Sequence, residues 1–447
     1  MFESLLVANR GEIARRVLRT ASAMGLRTIA VHSEADAALP FVKEADEAVL
    51  IGPPPPAESY LDVAKVLEAA KRSGAEAIHP GYGFLAESAD FAEAVIAAGL
   101  GWVGPAPESI RSMGDKISAR NLMSDAGVPV APGTREPIDE VEAAVVAASE
   151  IGYPLMVKAS AGGGGIGMGV ARDEAGLRAA FETARTRAER FFGSPAILLE
   201  RYIDGARHVE VQVLGLADGR VVALGERDCS VQRRHQKVAE ETPSPGVTDA
   251  LRAEMLAGAV RAGAAVNYRG AGTVECLVDP ASQTYVFLEM NTRLQVEHPV
   301  TELVTGVDLV EEQLRIAAGE SPRADLDNIT ANGHAIELRV YAEDPVRFLP
   351  SPGDITRWEE PSGEHVRVDS GYAAGTTVTP FYDPLLAKLC VWGSDRDEAL
   401  ARAREAVAKF HVEGPKTNLP FFTRLLADER FVSGGYDTGL VDGMAKP

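Results

Sequence analysis

The chain has 447 residues, 46% hydrophobic and 25% charged, the makeup of a globular protein of two or three domains. Its 65 acidic side chains outnumber its 45 basic ones for a net charge of −20, so a nucleic-acid backbone is a poor partner and any anionic ligand must be held by local basic groups. No run approaches the ~20 apolar residues that cross a bilayer, the opening MFESLLVANRGE is unlike a secretory signal, and Cys229, Cys276 and Cys390 form no metal-like pair, which together point to a cytoplasmic setting.

Residues 1–115 alternate strand and helix. SLLVAN reads as a strand, Asn9-Arg10-Gly11 as a turn, and EIARRVLRTASAMG as an amphipathic helix ending at Gly25. RTIAVHS and EAVLIG read as strands, Pro53–Pro56 as a break, SYLDVAKVLEAAKRSG as a helix and AEAIHPGYGF as a strand entering a turn. Such alternation predicts a doubly wound, mostly parallel α/β sheet. The first strand–helix turn lacks G-x-G-x-x-G, so this region reads as a structural domain and not as a dinucleotide site. Further on, YPLMVKAS, AILLERYI and HVEVQVLG read as strands, the last with His208, Glu210 and Gln212 on one face. A helix over ALRAEMLAGAVRAGAAVN precedes strands GTVECLVD and TYVFLEMN. After Gly333, HAIELRVYAED and HVRVDSGY read as antiparallel strands and SDRDEALARAREAVAKF as a helix.

Three stretches carry chemistry. In an extended reading of 289–297, Glu289, Asn291, Arg293, Gln295 and Glu297 share one face and Met290, Thr292, Leu294 and Val296 the other. Glu289 and Asn291, with Glu275 from the preceding strand, offer oxygen ligands to a hard cation such as Mg2+. Gly162–Gly165 permits a loop whose N–H groups converge on phosphate, flanked by Lys158, with Lys116 a second phosphate ligand. Together these describe an ATP–Mg2+ site, although no P-loop motif occurs. The third stretch, 227–238, gathers Arg227, Arg233, Arg234, His235 and Lys237 in an acidic protein and reads as an exposed basic loop or as an anion pocket.

These residues resemble the biotin carboxylases, the ATP-grasp component of biotin-dependent carboxylases. The resemblance runs from ANRGEIA (8–14) through HPGYGFLAES (79–88), MGDK (113–116), KASAGGGGIGM (158–168), ERDCSVQRRHQKV (226–238), RGAGTVE (269–275), EMNTRLQVEHPVTE (289–302) and GHAIELRVYAED (333–344) to FYDPLLAKL (381–389). It implies an α/β (α+β) protein of three domains: an N-terminal domain over 1–115, an ATP-grasp domain over 116–330 with a mobile glycine-loop lid over about 131–203, and a C-terminal domain over 331–447. By the same resemblance, Lys116, Lys158 and the N–H groups of Gly164 and Gly165 hold ATP phosphates. Glu200 and Ile203 lie at the adenine with Leu277 packing nearby, Arg201 binds ATP where a lysine is common, and His208, Gln232 and His235 hold the ribose and adjacent phosphate. Glu275, Glu289 and Asn291 hold Mg2+ or Mn2+. Lys237, Arg293, Gln295 and the Val296 backbone cradle bicarbonate, Glu297 is the general base, Arg339 stabilises the enolate-like biotin oxygen, and Tyr82 lines the biotin pocket.

The implied reaction is ATP- and bicarbonate-dependent carboxylation of biotin through carboxyphosphate, the first half-reaction of an acyl-CoA carboxylase. The chain shows no Ala-Met-Lys-Met biotin-attachment motif. The expected partners are therefore a separate biotin carboxyl carrier protein and a carboxyltransferase, with the chain itself a homodimer. The lid departs from the family pattern: Ile166 and Gly169 stand where basic residues are common, and Ala161 where glycine is. Carboxylate–amine ligases and carbamoyl-phosphate synthases share the glycine loop and metal ligands, but RLQVEHP with Arg339 downstream favours the biotin reaction.

Overall fold

The structure is a computed structural model that describes residues 1–159, 168–192, 195–326 and 328–444. The first five strands, β1 (Ser4–Val7), β2 (Arg27–Ser33), β3 (Glu47–Gly52), β4 (Ala77–His79) and β5 (Gly101–Trp102), form one sheet in the order β3-β2-β1-β4-β5. All its pairings are parallel, as the alternation predicts. The order reverses between β1 and β4, which opens a crevice at their carboxyl ends, the place where such sheets receive ligands. The helix Gly11–Ala23 leaves that crevice from Gly11, whose φ of +64° a side chain would strain. The helix predicted from Ser59 begins instead at Val63, because the Asp62 carboxylate caps it by accepting from the Lys65 N–H.

Strands β6 (Leu155–Ala159), β7 (Gly169–Ala171) and β8 (Ile197–Arg201) make a small antiparallel sheet in the order β7-β6-β8. Helices Val141–Ile151 and Glu174–Phe192 accompany it. Leu155, Val157, Leu177, Phe181, Ile197 and Leu199 give this unit a core of its own, so it buries its apolar faces without help from the rest of the chain.

The largest sheet has eight strands. Its first six are β13 (Thr284–Asn291), β12 (Gly270–Asp279), β9 (Arg207–Gly215), β10 (Val221–Arg233), β11 (Gln236–Thr242) and β14 (His334–Tyr341); Leu385–Gly393 and Val366–Ser370 complete it in that order. The expected boundary at 330 therefore does not interrupt the sheet: β11 pairs with β14 through Ala239–Leu338, Glu240–Glu337 and Glu241–Ile336. The strands read in HAIELRVYAED and HVRVDSGY do not pair with each other; Leu385–Gly393 lies between them and is antiparallel to both. The helix Asp249–Ala265 packs Leu251, Met255, Ala259 and Ala262 on the valines of β9, and Arg396–Lys409 packs Leu400, Ala403 and Val407 on the other half. Each fully buried Val or Leu there contributes roughly 1.5–3 kcal/mol. No helix among the described residues is long and apolar enough to cross a membrane.

Candidate active site

The crevice of the parallel sheet, the small sheet and the open face of the large sheet enclose one cleft of about 1090 Å³. Asn9–Ile13 and Tyr82–Phe84 form its N-terminal wall. The reading of residues 1–115 as a structural domain is thus extended beyond Tyr82, which the resemblance places in the biotin pocket: the ends of β1 and β4 also line the cleft.

Strand register builds the floor. Arg227 on β10 stands opposite Glu210 on β9, Glu210 opposite Glu275 on β12, and Glu275 opposite Glu289 on β13. Directly paired residues share a sheet face, so the register alone lines up one guanidinium and three carboxylates in a row. Such a row is unstable without counter-charge. Arg227 supplies it at one end, donating to Glu210 Oε1 at 2.6 Å and also to Gln212, Thr273 and Thr301. Lys237 supplies it in the middle: its Nζ lies 2.6 Å from Glu210, 2.7 Å from Glu275 and 2.7 Å from Glu297. Burial alone would lower the Lys237 pKa, but these carboxylates hold it well above the ordinary lysine value.

Glu297 is fully buried beneath the cleft. Its second oxygen accepts from Arg339 at 2.9 Å, and Arg339 also pairs with Glu240 at 2.6 Å. Burial would raise the Glu297 pKa; Lys237, Arg339 and Arg227 outweigh it and hold the carboxyl well below its usual range. The run 289–297 is not one strand. It leaves the sheet after Asn291, and Glu297 is the N-cap residue of the helix His298–Thr305, so the alternating face holds only for Glu289 and Asn291. A turn brings Arg293, Gln295 and Val296 back to the cleft. The Arg293 guanidinium is fixed on three sides: Nε donates to Glu87 at 2.9 Å, one terminal nitrogen to Gln295 at 2.8 Å and the other to Asn291 at 3.1 Å.

The basic segment 227–238 is a hairpin, not an exposed loop. β10 and β11 are joined by Arg234 and His235, whose φ of 50° and 65° fit a two-residue turn of the left-handed kind. Arg227 and Arg233 are consumed in buried pairs with Glu210 and Glu343, so of the five basic side chains Arg234, His235 and Lys237 are the ones that line the cleft.

A divalent cation fits the floor. Glu275 and Glu289 are directly opposed, and Asn291 donates to Glu275 at 2.9 Å. Burial, then the charge of Glu275, raise the Glu289 pKa, which is the strain a cation between them relieves. His208 reaches Glu275 at 3.0 Å and bonds Gln232 at 2.7 Å, extending the same edge.

Across the cleft, Lys158 on β6 pairs with Glu200 on β8 at 2.5 Å, neighbours through the antiparallel register of these strands. Lys116 stands nearby; burial, and to a lesser degree Lys158, lower its pKa, an electrostatic tension that an anion would relieve. Arg201, Ile203 and Leu277 line this end. Gly164, Gly165, Ile166 and Ala161 lie outside the described residues. The sequence reading left Glu210, Glu240 and Glu87 without roles. Glu210 was visible on the polar face of HVEVQVLG; Glu240 and Glu87 carry no local signal, since only the tertiary fold brings them to Arg339 and Arg293.

Three family models match in succession: the biotin carboxylase N-terminal domain over residues 1–110, the ATP-binding domain of the carbamoyl-phosphate synthase L chain over 115–324, and the biotin carboxylase C-terminal domain over 337–443. The biotin carboxylase of Halalkalibacterium halodurans is 52% identical over 446 residues, covering 100% of this chain and 98% of its own. The Campylobacter jejuni biotin carboxylase in complex with a β,γ-ATP compound superposes with a TM-score of 0.96 at 42% identity, covering 99% of both chains. The biotin carboxylase domain dimer of the Hydrogenobacter thermophilus 2-oxoglutarate carboxylase, which holds MgADP, ADP and bicarbonate, gives 0.94 at 44% identity, covering 99% of this chain and 97% of its own. Domain order, full-length identity and the ionic floor agree: the chain belongs to the biotin carboxylases, ATP-grasp ligases that catalyse ATP-dependent carboxylation of biotin as the first half-reaction of biotin-dependent carboxylases.

Proposed function

We propose that Glu297 is the base that activates bicarbonate and that Lys237 and Arg339 time its action. The observation that carries this reading is the position of Glu297, buried between those two cations. While both cations serve the carboxylate, it is a weak base. An anion cradled by Lys237, Arg293, Gln295 and the Val296 N–H competes for the same positive charge and raises the proton affinity of Glu297. Glu297 then takes the bicarbonate proton, and the freed oxygen attacks the γ-phosphate of ATP to give carboxyphosphate and ADP. Lys116 and Lys158, with the Gly164 and Gly165 N–H groups, offset the phosphate charge. Glu200, Ile203 and Leu277 hold the adenine, with Arg201 a further ATP-binding residue on the same wall; His208, Gln232 and His235 hold the ribose side. Mg2+ or Mn2+ on Glu275, Glu289 and Asn291 would neutralise phosphate charge when bound.

Carboxyphosphate then breaks down to CO2 and phosphate, the phosphate takes the proton of the biotin ring nitrogen, Arg339 stabilises the negative charge that develops on the biotin oxygen, and the nitrogen attacks CO2 to give carboxybiotin; Tyr82 bounds the pocket that receives the ring. The biotin is carried by a separate carrier protein, and a carboxyltransferase consumes the product. The dimeric Hydrogenobacter relative supports a homodimer, and three buried, unpaired cysteines are consistent with a cytoplasmic setting.

The test is ADP release with Mg-ATP, with and without bicarbonate and free biotin. Biotin stimulation that also requires bicarbonate is the expected result; turnover that needs bicarbonate and ignores biotin would favour a carbamoyl-phosphate-like reaction instead. Arg339→Ala should lose biotin carboxylation more than bicarbonate-dependent ATP cleavage, and equal loss of both would remove its biotin-specific role.

A further inference from the structure

The floor described so far leaves Lys388, a fully buried cation, without a role. Lys388, in the strand Leu385–Gly393, has no exposed surface. It stands opposite Arg339 in the sheet register, so the two side chains share a face and meet the same turn one residue apart. Arg339 grips the Glu297 carboxylate, and Lys388 Nζ donates to the Val296 carbonyl at 2.9 Å. On its other side Lys388 pairs with Glu12 at 3.1 Å, and Glu12, at the start of the helix Gly11–Ala23, accepts a hydrogen bond from the Tyr82 hydroxyl. His298 completes the clamp, its Nδ1 lying 2.8 Å from the Gln295 carbonyl. Burial, with Lys388 close by, holds the His298 pKa well below the ordinary value, so the ring is neutral and Nδ1–H is the donor that the carbonyl requires. In a trans peptide the C=O and N–H point oppositely, so a Gln295 carbonyl turned toward His298 aims the Val296 N–H the other way, and Val296 is among the residues that line the cleft.

From this geometry we infer that Lys388 and Glu12 are positioning residues: they tie the Gln295–Glu297 turn to Tyr82 and so fix the spacing between the bicarbonate cradle and the biotin wall. The inference rests on the assignment of those two subsites in the proposed function. Three regions distant in sequence meet in the link: the first helix, the turn after β13 and a C-terminal strand. A bare stabilising pair would not need one end on the peptide next to the cradle N–H and the other on the hydroxyl of a residue that lines the cleft. Burial makes the link stiff. Burial alone would lower the Lys388 pKa, yet Glu12, Glu337 and Asp369 keep the ammonium charged, and a charged donor gives the stronger, more directional bond.

The experiment is steady-state kinetics on Glu12→Gln, Lys388→Met and Tyr82→Phe, with ADP and carboxybiotin counted separately. Glu12→Gln keeps the shape and changes a residue that does not touch the turn. It should raise the bicarbonate KM about threefold and lower carboxybiotin formed per ADP, with the ATP KM within about twofold, the scale of one weakened hydrogen bond. Lys388→Met should do the same more strongly, about tenfold. Tyr82→Phe combined with Lys388→Met should cost less than the product of the single effects, because both cut one link. An unchanged bicarbonate KM in folded Glu12→Gln would overturn the inference, as would equal losses in the ATP and bicarbonate KM values. If Lys388→Met does not accumulate as folded protein, Glu12→Gln decides alone. Arg293→Ala is the control for the underlying assignment: if its bicarbonate KM is also normal, the subsite reading has failed and not the link.

Discussion

The two walls of the cleft hold their charges in opposite ways. On the floor, Glu210, Glu275 and Glu297 all contact Lys237, and each has a further partner, Arg227, His208 or Asn291, and Arg339 respectively. On the facing unit, Lys158 and Glu200 contact each other, with Arg120 3.8 Å from Glu200. The floor is set by the register of six neighbouring strands, whereas the facing pair sits on a three-stranded sheet with a separate core. The difference separates two tasks. Charge that must be in place before bicarbonate arrives is locked by redundancy, which spares the reaction any cost of reorganisation. Charge that must be handed to a nucleotide is held by a single exchangeable partner.

The largest effects should come from breaking the floor. Glu297→Gln removes the base while keeping its shape, and bicarbonate-dependent ADP release should fall roughly a hundredfold to ten-thousandfold; a loss under tenfold would assign the proton to another group. Lys237→Met leaves three buried carboxylates facing one another. The handbill of such a change is stability as well as activity: removal of one partner from a buried ionic set costs about 3–5 kcal/mol, read as a lower thermal unfolding midpoint. An unchanged midpoint would mean that protonation of a carboxylate compensates the loss. On the facing wall, Glu200→Gln should leave the midpoint and the bicarbonate KM where they are. It keeps the shape of a side chain placed at the adenine and only weakens its bond with Lys158, the two side chains being 15% and 9% exposed, so the ATP KM should rise by no more than about threefold, the scale of one weakened hydrogen bond. A large rise in the ATP KM would show that the pair is a fixed part of the nucleotide site.

The parallel sheet was largely legible because its signal is local: apolar strands alternate with helical periodicity, and the four strands read over 1–115 are all present, while β5 (Gly101–Trp102) and the helix Ala89–Ala97 before it were not read. The ionic floor was only half legible. Glu275, Glu289 and Asn291 lie close together in sequence or on adjacent strands, and Glu210 shows on the polar face of HVEVQVLG. That Glu210, Glu275 and Glu289 stand in one row with Arg227 depends on the register of four strands, which no single segment encodes. The same limit applies to the β11–β14 pairing that carries the sheet across residue 330, and to Lys388, whose partners are 92 and 376 positions away. The basic segment 227–238 stayed open between an exposed loop and an anion pocket for a different reason: charge in a sequence looks solvent-facing until its buried partners, here Glu210 and Glu343, are known.

Acid separates the two regions by another route, with a smaller expected effect. Glu241, on β11 beside the floor, would be raised by burial, but His334 and Arg396 hold its pKa at about 2 against an ordinary 4.5. A carboxyl depressed on folding contributes stability that is fully present above pH 4.5 and is lost as the pH falls from 4.5 toward 2, because the unfolded chain binds the proton first. The difference is equivalent to about 3 kcal/mol. Asp204, beside the small sheet, is also depressed, by its hydrogen bonds from Arg172, but it is exposed to solvent, where such pairs are screened and add little. Unfolding followed against pH should therefore show Glu241→Gln flattening the loss between pH 4.5 and 2 and Asp204→Asn leaving the curve unmoved. If the two variants behaved alike, acid stability would not reside in the seam that joins the central and C-terminal strands, and the contrast between a locked sheet and an exchangeable wall would rest on the nucleotide side alone.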